Sequence, residues 1–198
     1  DQLADFARYC VDKNITCITF NYDDVLDEAL WNVANVISPT DKPYWHSDGG
    51  YAFFCRPSGL SVQDTGVYKD NPSMVLLKLH GSINWRPRRG YHRPYVVDAI
   101  MHHEPWFSYS GTGAPIPTPE EVALHLEPEP FIVPPVLLKS ALIEQPILRI
   151  VWYQAYEALA QAQQVTFVGY SFPNTDIAVS VLFDEALQDL PQTDISVV

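Results

Sequence analysis

Three short apolar runs in this chain each end in side chains that can hold water, bind a ligand or move a proton. The first, Ile15-Thr16-Cys17-Ile18-Thr19-Phe20, stops at Asn21-Tyr22-Asp23-Asp24. The second, Met74-Val75-Leu76-Leu77-Lys78-Leu79, stops at His80-Gly81-Ser82. The third, Val165-Thr166-Phe167-Val168, runs into Gly169-Tyr170-Ser171-Phe172-Pro173-Asn174-Thr175-Asp176. A histidine with its ordinary pKa of about 6.5 can accept a proton near neutral pH. A carboxamide such as Asn21 can hold a water without titrating. Gly81 permits close backbone approach, and the Gly169 turn before a helix suits a phosphate or ribose held on backbone amides. Each residue also has a plainer reading. Asn21, Asp23 and Asp176 are all types that cap helices, His80 fits a hydrogen-bonded structural residue, and a single glycine falls far short of a dinucleotide fingerprint.

The elements that must position these groups follow from hydrophobic spacing. Leu3, Phe6, Ala7 and Cys10 predict a helix over 2–12, followed by a strand at 15–20 and a helix from 24 to 36 that is acidic in its first turn. Met74–Leu79 is a second buried strand, and Phe131-Ile132-Val133, halted by Pro134-Pro135, a third. A long helix over 147–163 buries Ile147, Leu148, Val151, Ala155, Ala158, Leu159 and Ala162. A strand at 165–168, a helix over 177–187 and a strand at 194–198 complete the pattern. Between them, residues 38–73 and 86–130 are dense in proline and glycine and read as irregular insertions, peripheral to the sheet. Thr118-Pro119-Glu120-Glu121 opens a short helix in the second, and the segment around Trp106 is a candidate lid. The order fits an α/β fold: a Rossmann-like, open, mainly parallel sheet with helices on both faces. Its polar strand ends would meet at one carboxyl edge around a single cleft, where such sheets bind ligands. The whole, 1–198, reads as one domain. Both ends read as cut, so a longer polypeptide with further domains is expected.

Composition narrows the function classes. Twelve basic against 24 acidic residues give a net charge of −12. Direct nucleic-acid binding is therefore not expected, because it needs clustered cations; Arg86, Arg88, Arg89 and Arg93 form only a short cluster. No apolar run approaches the roughly 18 residues of a membrane helix. Cys10, Cys17 and Cys55 make no paired motif, which points to a reducing, cytoplasmic setting and away from disulfides and structural zinc. His102 and His103 are adjacent, and neither His92 nor His125 stands at a ligand-like spacing from them, so no metal is expected.

Taken in order, the three strand-end motifs resemble those of the sirtuin-like domains of bacterial proteins, including NAD-degrading antiphage defence proteins. The resemblance covers residues 15–31, 74–85 and about 131–198. It implies that Phe20-Asn21-Tyr22-Asp23 lines a nicotinamide pocket, with Asn21 orienting the reacting water or ribose and Asp23 accepting from the nicotinamide carboxamide. It implies that His80 handles the proton of a ribose hydroxyl, and that Gly169 and Ser171 contact the distal part of the dinucleotide. Three departures stand out. The family's Gly-Ala-Gly-x-Ser segment is absent and would lie upstream of Asp1; Tyr22 replaces an isoleucine; and the cysteine-bearing zinc module is missing, which argues against protein deacylation.

The resulting expectation is a bacterial NAD hydrolase with NAD as substrate and no metal: catalytic Asn21 and His80, and Asp23, Gly81, Gly169, Ser171 and Asp176 on the dinucleotide. Cleaving the nicotinamide–ribose bond generates an oxocarbenium-like centre, which needs chiefly positioning and charge stabilisation. The expected setting is a cytoplasmic homo-oligomer. The competing expectation is a module that senses NAD or ADP-ribose without turning it over. A deacylase or ADP-ribosyl transferase is a further alternative.

Overall fold

The first two apolar runs pair side by side. β1 (Cys17–Thr19) and β2 (Leu76–Lys78) are parallel, with Cys17 opposite Leu76 and Thr19 opposite Lys78. The computed structural model describes residues 1–36, 45, 50–51, 74–87, 97–100, 129–133, 146–172 and 176–198. Leu76 and Leu77 are buried, as expected of a run without polar alternation. Acidic residues stand at the start of both helices that flank β1. α1 (Gln2–Lys13) starts at Asp1, whose carboxylate accepts from the Leu3 amide, and ends on Asn14 in the left-handed conformation. Its inner face is Ala7, Cys10 and Val11, whereas Phe6, expected on that face, is exposed. α2 (Val25–Val36) turns Ala29, Leu30, Trp31 and Val33 into the core.

After β2 the chain changes direction at Gly81. β3 (Gly81–Ser82) pairs antiparallel with β6 (Phe131–Ile132), and β4 (Trp85–Pro87) pairs antiparallel with β5 (Val97–Ile100). α3 (Pro146–Ala160) buries Leu148, Val151, Ala155 and Leu159 at helical spacing. β7 (Val165–Phe167) and β8 (Ile195–Val197) form a second parallel ladder, joined through α4 (Ile177–Ala186), which Asp176 caps. Mixed helix and strand with short parallel ladders is compatible with an α/β fold.

Three expectations need correction. Two of the four ladders among the described residues are antiparallel, because the left-handed turn at Gly81 takes the chain out of the β2 direction. Two residues of the first insertion are not peripheral: Trp45 and Tyr51 lie in the core at 1% and 0% exposure, edge to face with one another, and Tyr51 packs likewise on Trp85. The second insertion is not wholly irregular: it contributes the short strand β5 and the last two residues of β4. The helix at 118–121, the Trp106 segment, His92, His102, His103, His125 and Cys55 lie outside the described residues. No helix among the described residues is long and apolar enough to cross a membrane.

Gly81 allows a direct test of this architecture. Its φ is 80°, and a Cβ there would stand 2.1 Å from the Phe131 carbonyl oxygen. Gly81→Ala combines left-handed strain with a backbone clash, a cost above about 2 kcal/mol. Thermal denaturation should show a midpoint at least about 4 °C lower, and an unchanged midpoint would refute the β3–β6 packing.

Candidate active site

Parallel pairing sets the carboxyl ends of β1 and β2 next to each other, with the Leu79 amide donating to the Thr19 carbonyl at 3.1 Å. Phe20 and His80 follow directly, their ring centroids 5.9 Å apart. The third strand end joins them from the other ladder: Tyr170 stacks on Phe20 at 4.6 Å. Asp176 brings Oδ2 to 3.3 Å from His80 Nε2, while its Oδ1 accepts from the Val179 amide at 3.3 Å. One carboxylate therefore starts α4 and faces the histidine. The cap weighed for Asp176 is present, and the same carboxylate also lies beside His80.

His80 is 2% exposed. Phe20, Tyr22 and Trp152 surround it, the latter two with centroids at 6.1 and 6.3 Å. Trp152 is fixed in turn by its indole N–H, which donates to the Leu79 carbonyl at 2.7 Å. The arrangement is an aromatic enclosure around an imidazole and a carboxylate, not the open cleft expected. A groove of about 360 Å³ lies elsewhere, lined by Thr16, Val75, Tyr153, Glu157 and Gln161 near the amino-terminal ends of β1 and β2.

The other expected site residues divide. Asn21 is exposed beside the enclosure, its amide donating to Thr19 Oγ1 at 3.1 Å. Asp23 is exposed and accepts from the Val25 amide at 3.2 Å, a bond at the start of α2. Gly81 is buried against the Phe131 backbone, so the space its missing side chain leaves is filled by protein and not open to a cofactor. Gly169 has φ 63° with nothing within 4 Å of a Cβ position, but its amide already donates to the Val198 carbonyl at 3.1 Å. Ser171 is exposed. The 20–23 segment, His80, Tyr170 and Asp176 thus converge, while Gly81 and the Gly169 amide serve the fold. No cluster of three or more potential metal ligands occurs among the described residues.

One buried polar cluster was not anticipated. Lys78 and Asp27 have side chains 0% and 1% exposed, with Nζ 2.9 Å from Oδ2. Tyr51 donates its hydroxyl to Asp27 Oδ1, and Asn84 Nδ2 reaches the same oxygen at 3.4 Å. Burial, then the Asp27 charge, holds the Tyr51 phenol well above its ordinary range. The sequence carried a signal: a lysine inside a wholly apolar strand is rarely buried unless paired.

No protein-family model matches the chain. No curated protein matches it either. The case for function therefore rests on the residues and their geometry.

Burial raises the phenol pKa of both Tyr22 and Tyr170, and the Asp176 carboxylate raises it further. A phenol whose pKa is raised on folding contributes stability that is complete below about pH 10, its ordinary value, and lost as pH climbs through the folded value. Asp176→Asn removes the second cause. Tyrosinate absorbance should then rise at lower pH than in the parent protein, an effect abolished when Tyr22 and Tyr170 are both phenylalanine. An unshifted titration would place Asp176 away from these rings.

Proposed function

We propose that the chain binds NAD and hydrolyses its nicotinamide–ribose bond. The observation that carries this reading is the meeting of His80 and Asp176 with the Phe20–Asp23 segment, contributed by three strand ends far apart in sequence. In the reaction, water adds to the anomeric carbon as the C–N bond breaks; nicotinamide leaves with the bonding electrons, and ADP-ribose and a proton remain. Asp176 orients the imidazole through Nε2, and His80 is the group that takes up the proton. Asn21, exposed at the rim, holds the water or the ribose, and Asp23 takes the nicotinamide carboxamide. The same reading treats the two parallel ladders as parts of one open, Rossmann-like sheet with helices on both faces. The resemblance extends it to a bacterial effector of antiphage defence, active in the cytoplasm as a homo-oligomer with further domains.

A second reading has its own support. With His80 only 2% exposed, the aromatic enclosure must open before any ribose reaches the imidazole. That favours a module which binds NAD or ADP-ribose and relays the event without turnover.

Release of free nicotinamide from NAD separates the two. Asn21→Ala alters an exposed side chain, so the thermal midpoint should move by a few degrees at most while release falls about 10²-fold through lost orientation. His80→Ala should lower release by about 10²–10⁴-fold, at a larger cost in stability because the imidazole is buried. Binding of NAD without nicotinamide release by the unaltered protein would establish the sensing module in place of the hydrolase.

A further inference from the structure

The backbone that carries Asn21 and Asp23 is short, lies between a strand and a helix, and is exposed at both of those residues. Such a segment holds a geometry only if something ties it down. The ties come from the end of β2, from β3 and from the turn after β3. Ile83 donates its amide to the Tyr22 carbonyl at 2.8 Å, and Ser82 Oγ reaches the same oxygen at 3.2 Å. The Lys78 ammonium reaches the Asp23 carbonyl at 2.5 Å. It is the charged member of the set, and it is itself fixed because Asp27, in the first turn of α2, holds it from the other side at 2.9 Å. Tyr51 and Asn84 in turn fix the Asp27 carboxylate. A lysine that only neutralised a buried aspartate would not also have to reach a loop carbonyl.

We propose that Lys78 is a positioning residue. Its buried ammonium, oriented by Asp27, clamps the Asp23 carbonyl and so fixes the Phe20–Asp24 segment against the His80 end of β2. The consequence for chemistry rests on the NAD reading above; the clamp itself does not.

Removing Lys78 alone would strand the Asp27 charge and destabilise the whole fold, so the test removes both charges. The double variant Lys78→Met with Asp27→Asn keeps an acceptor for Tyr51, leaves no unpaired buried charge and loses the clamp; the unaltered protein is its reference. Amide hydrogen exchange at residues 21–24 should be at least about tenfold faster in the double variant than in the reference. Exchange in β1 and at Leu30–Val33, and the thermal midpoint, should match. A rise spread equally over the core, or none at 21–24, would overturn the clamp and leave Lys78 a structural charge. Should the double variant not fold, the unaltered protein still decides. Backbone order parameters at 21–24 must equal those of β1, and values typical of a mobile loop reject the proposal. Nicotinamide release should fall about ten- to a hundredfold in the double variant, with kcat reduced more than KM is raised. If exchange responds while release and NAD binding do not, the clamp stands and the NAD reading of this segment fails.

Discussion

A lysine ammonium and an aspartate carboxylate held together out of water are the contact on which this arrangement turns. Taking two charges into a protein interior costs several kcal/mol per ion, recovered only when geometry is good and the remaining polar atoms are satisfied. Here Lys78 serves both Asp27 and the Asp23 carbonyl, and Asp27 serves Lys78, Tyr51 and Asn84. The cluster joins β2, the start of α2, the turn after β3 and a residue of the first insertion. Losing one partner leaves an uncompensated charge, which typically costs about 3–5 kcal/mol. Apolar contacts alone would hold these elements together. The polar cluster also favours one register, because few alternative packings bring Lys78, Asp27, Tyr51 and Asn84 together.

The candidate site borrows that rigidity. His80 is two residues beyond Lys78, on the next turn of the same chain direction, and Trp152 pins the intervening Leu79 carbonyl from α3. Asp176 arrives from the other parallel ladder and is held by its role in starting α4. An imidazole and a carboxylate gathered this way are oriented before any ligand binds, which is the condition under which positioning contributes to a rate. The aromatic rings around them exclude water and leave the site shut.

The helices and the buried strand β2 were legible because apolar spacing reports burial directly. α3 is the clearest case, with Leu148, Val151, Ala155 and Leu159 all inward. The run at 165–168, expected to be buried as well, is only half-buried in β7 and exposed at Thr166 and Val168. The strand ends were expected to meet at one edge of a single parallel sheet; Phe20, His80, Tyr170 and Asp176 do meet, but from two separate parallel ladders. The partners of Lys78 were not legible, because Tyr51 sits in a proline- and glycine-rich stretch where no periodicity marks it as inward. Gly81 misled for a related reason: a glycine after a strand signals close approach, but its sequence does not say whether a ligand or a neighbouring backbone makes it. Here Phe131 does.

The pairing of Cys17 with Leu76 also bears on how the chain folds. Lys78 and Asp27 are 51 positions apart, and Trp152 and Leu79 are 73 apart. Contacts of such long range reward the chain only after large loops have closed, so this topology favours slow folding over fast local zippering. Closure entropy grows only logarithmically, by about 0.6 kcal/mol for each doubling of a loop. The excursion between α2 and β2 can therefore lengthen or shorten across evolution at little thermodynamic cost, provided Trp45 and Tyr51 still reach the core. Length there is free to drift; two aromatic anchor points are not.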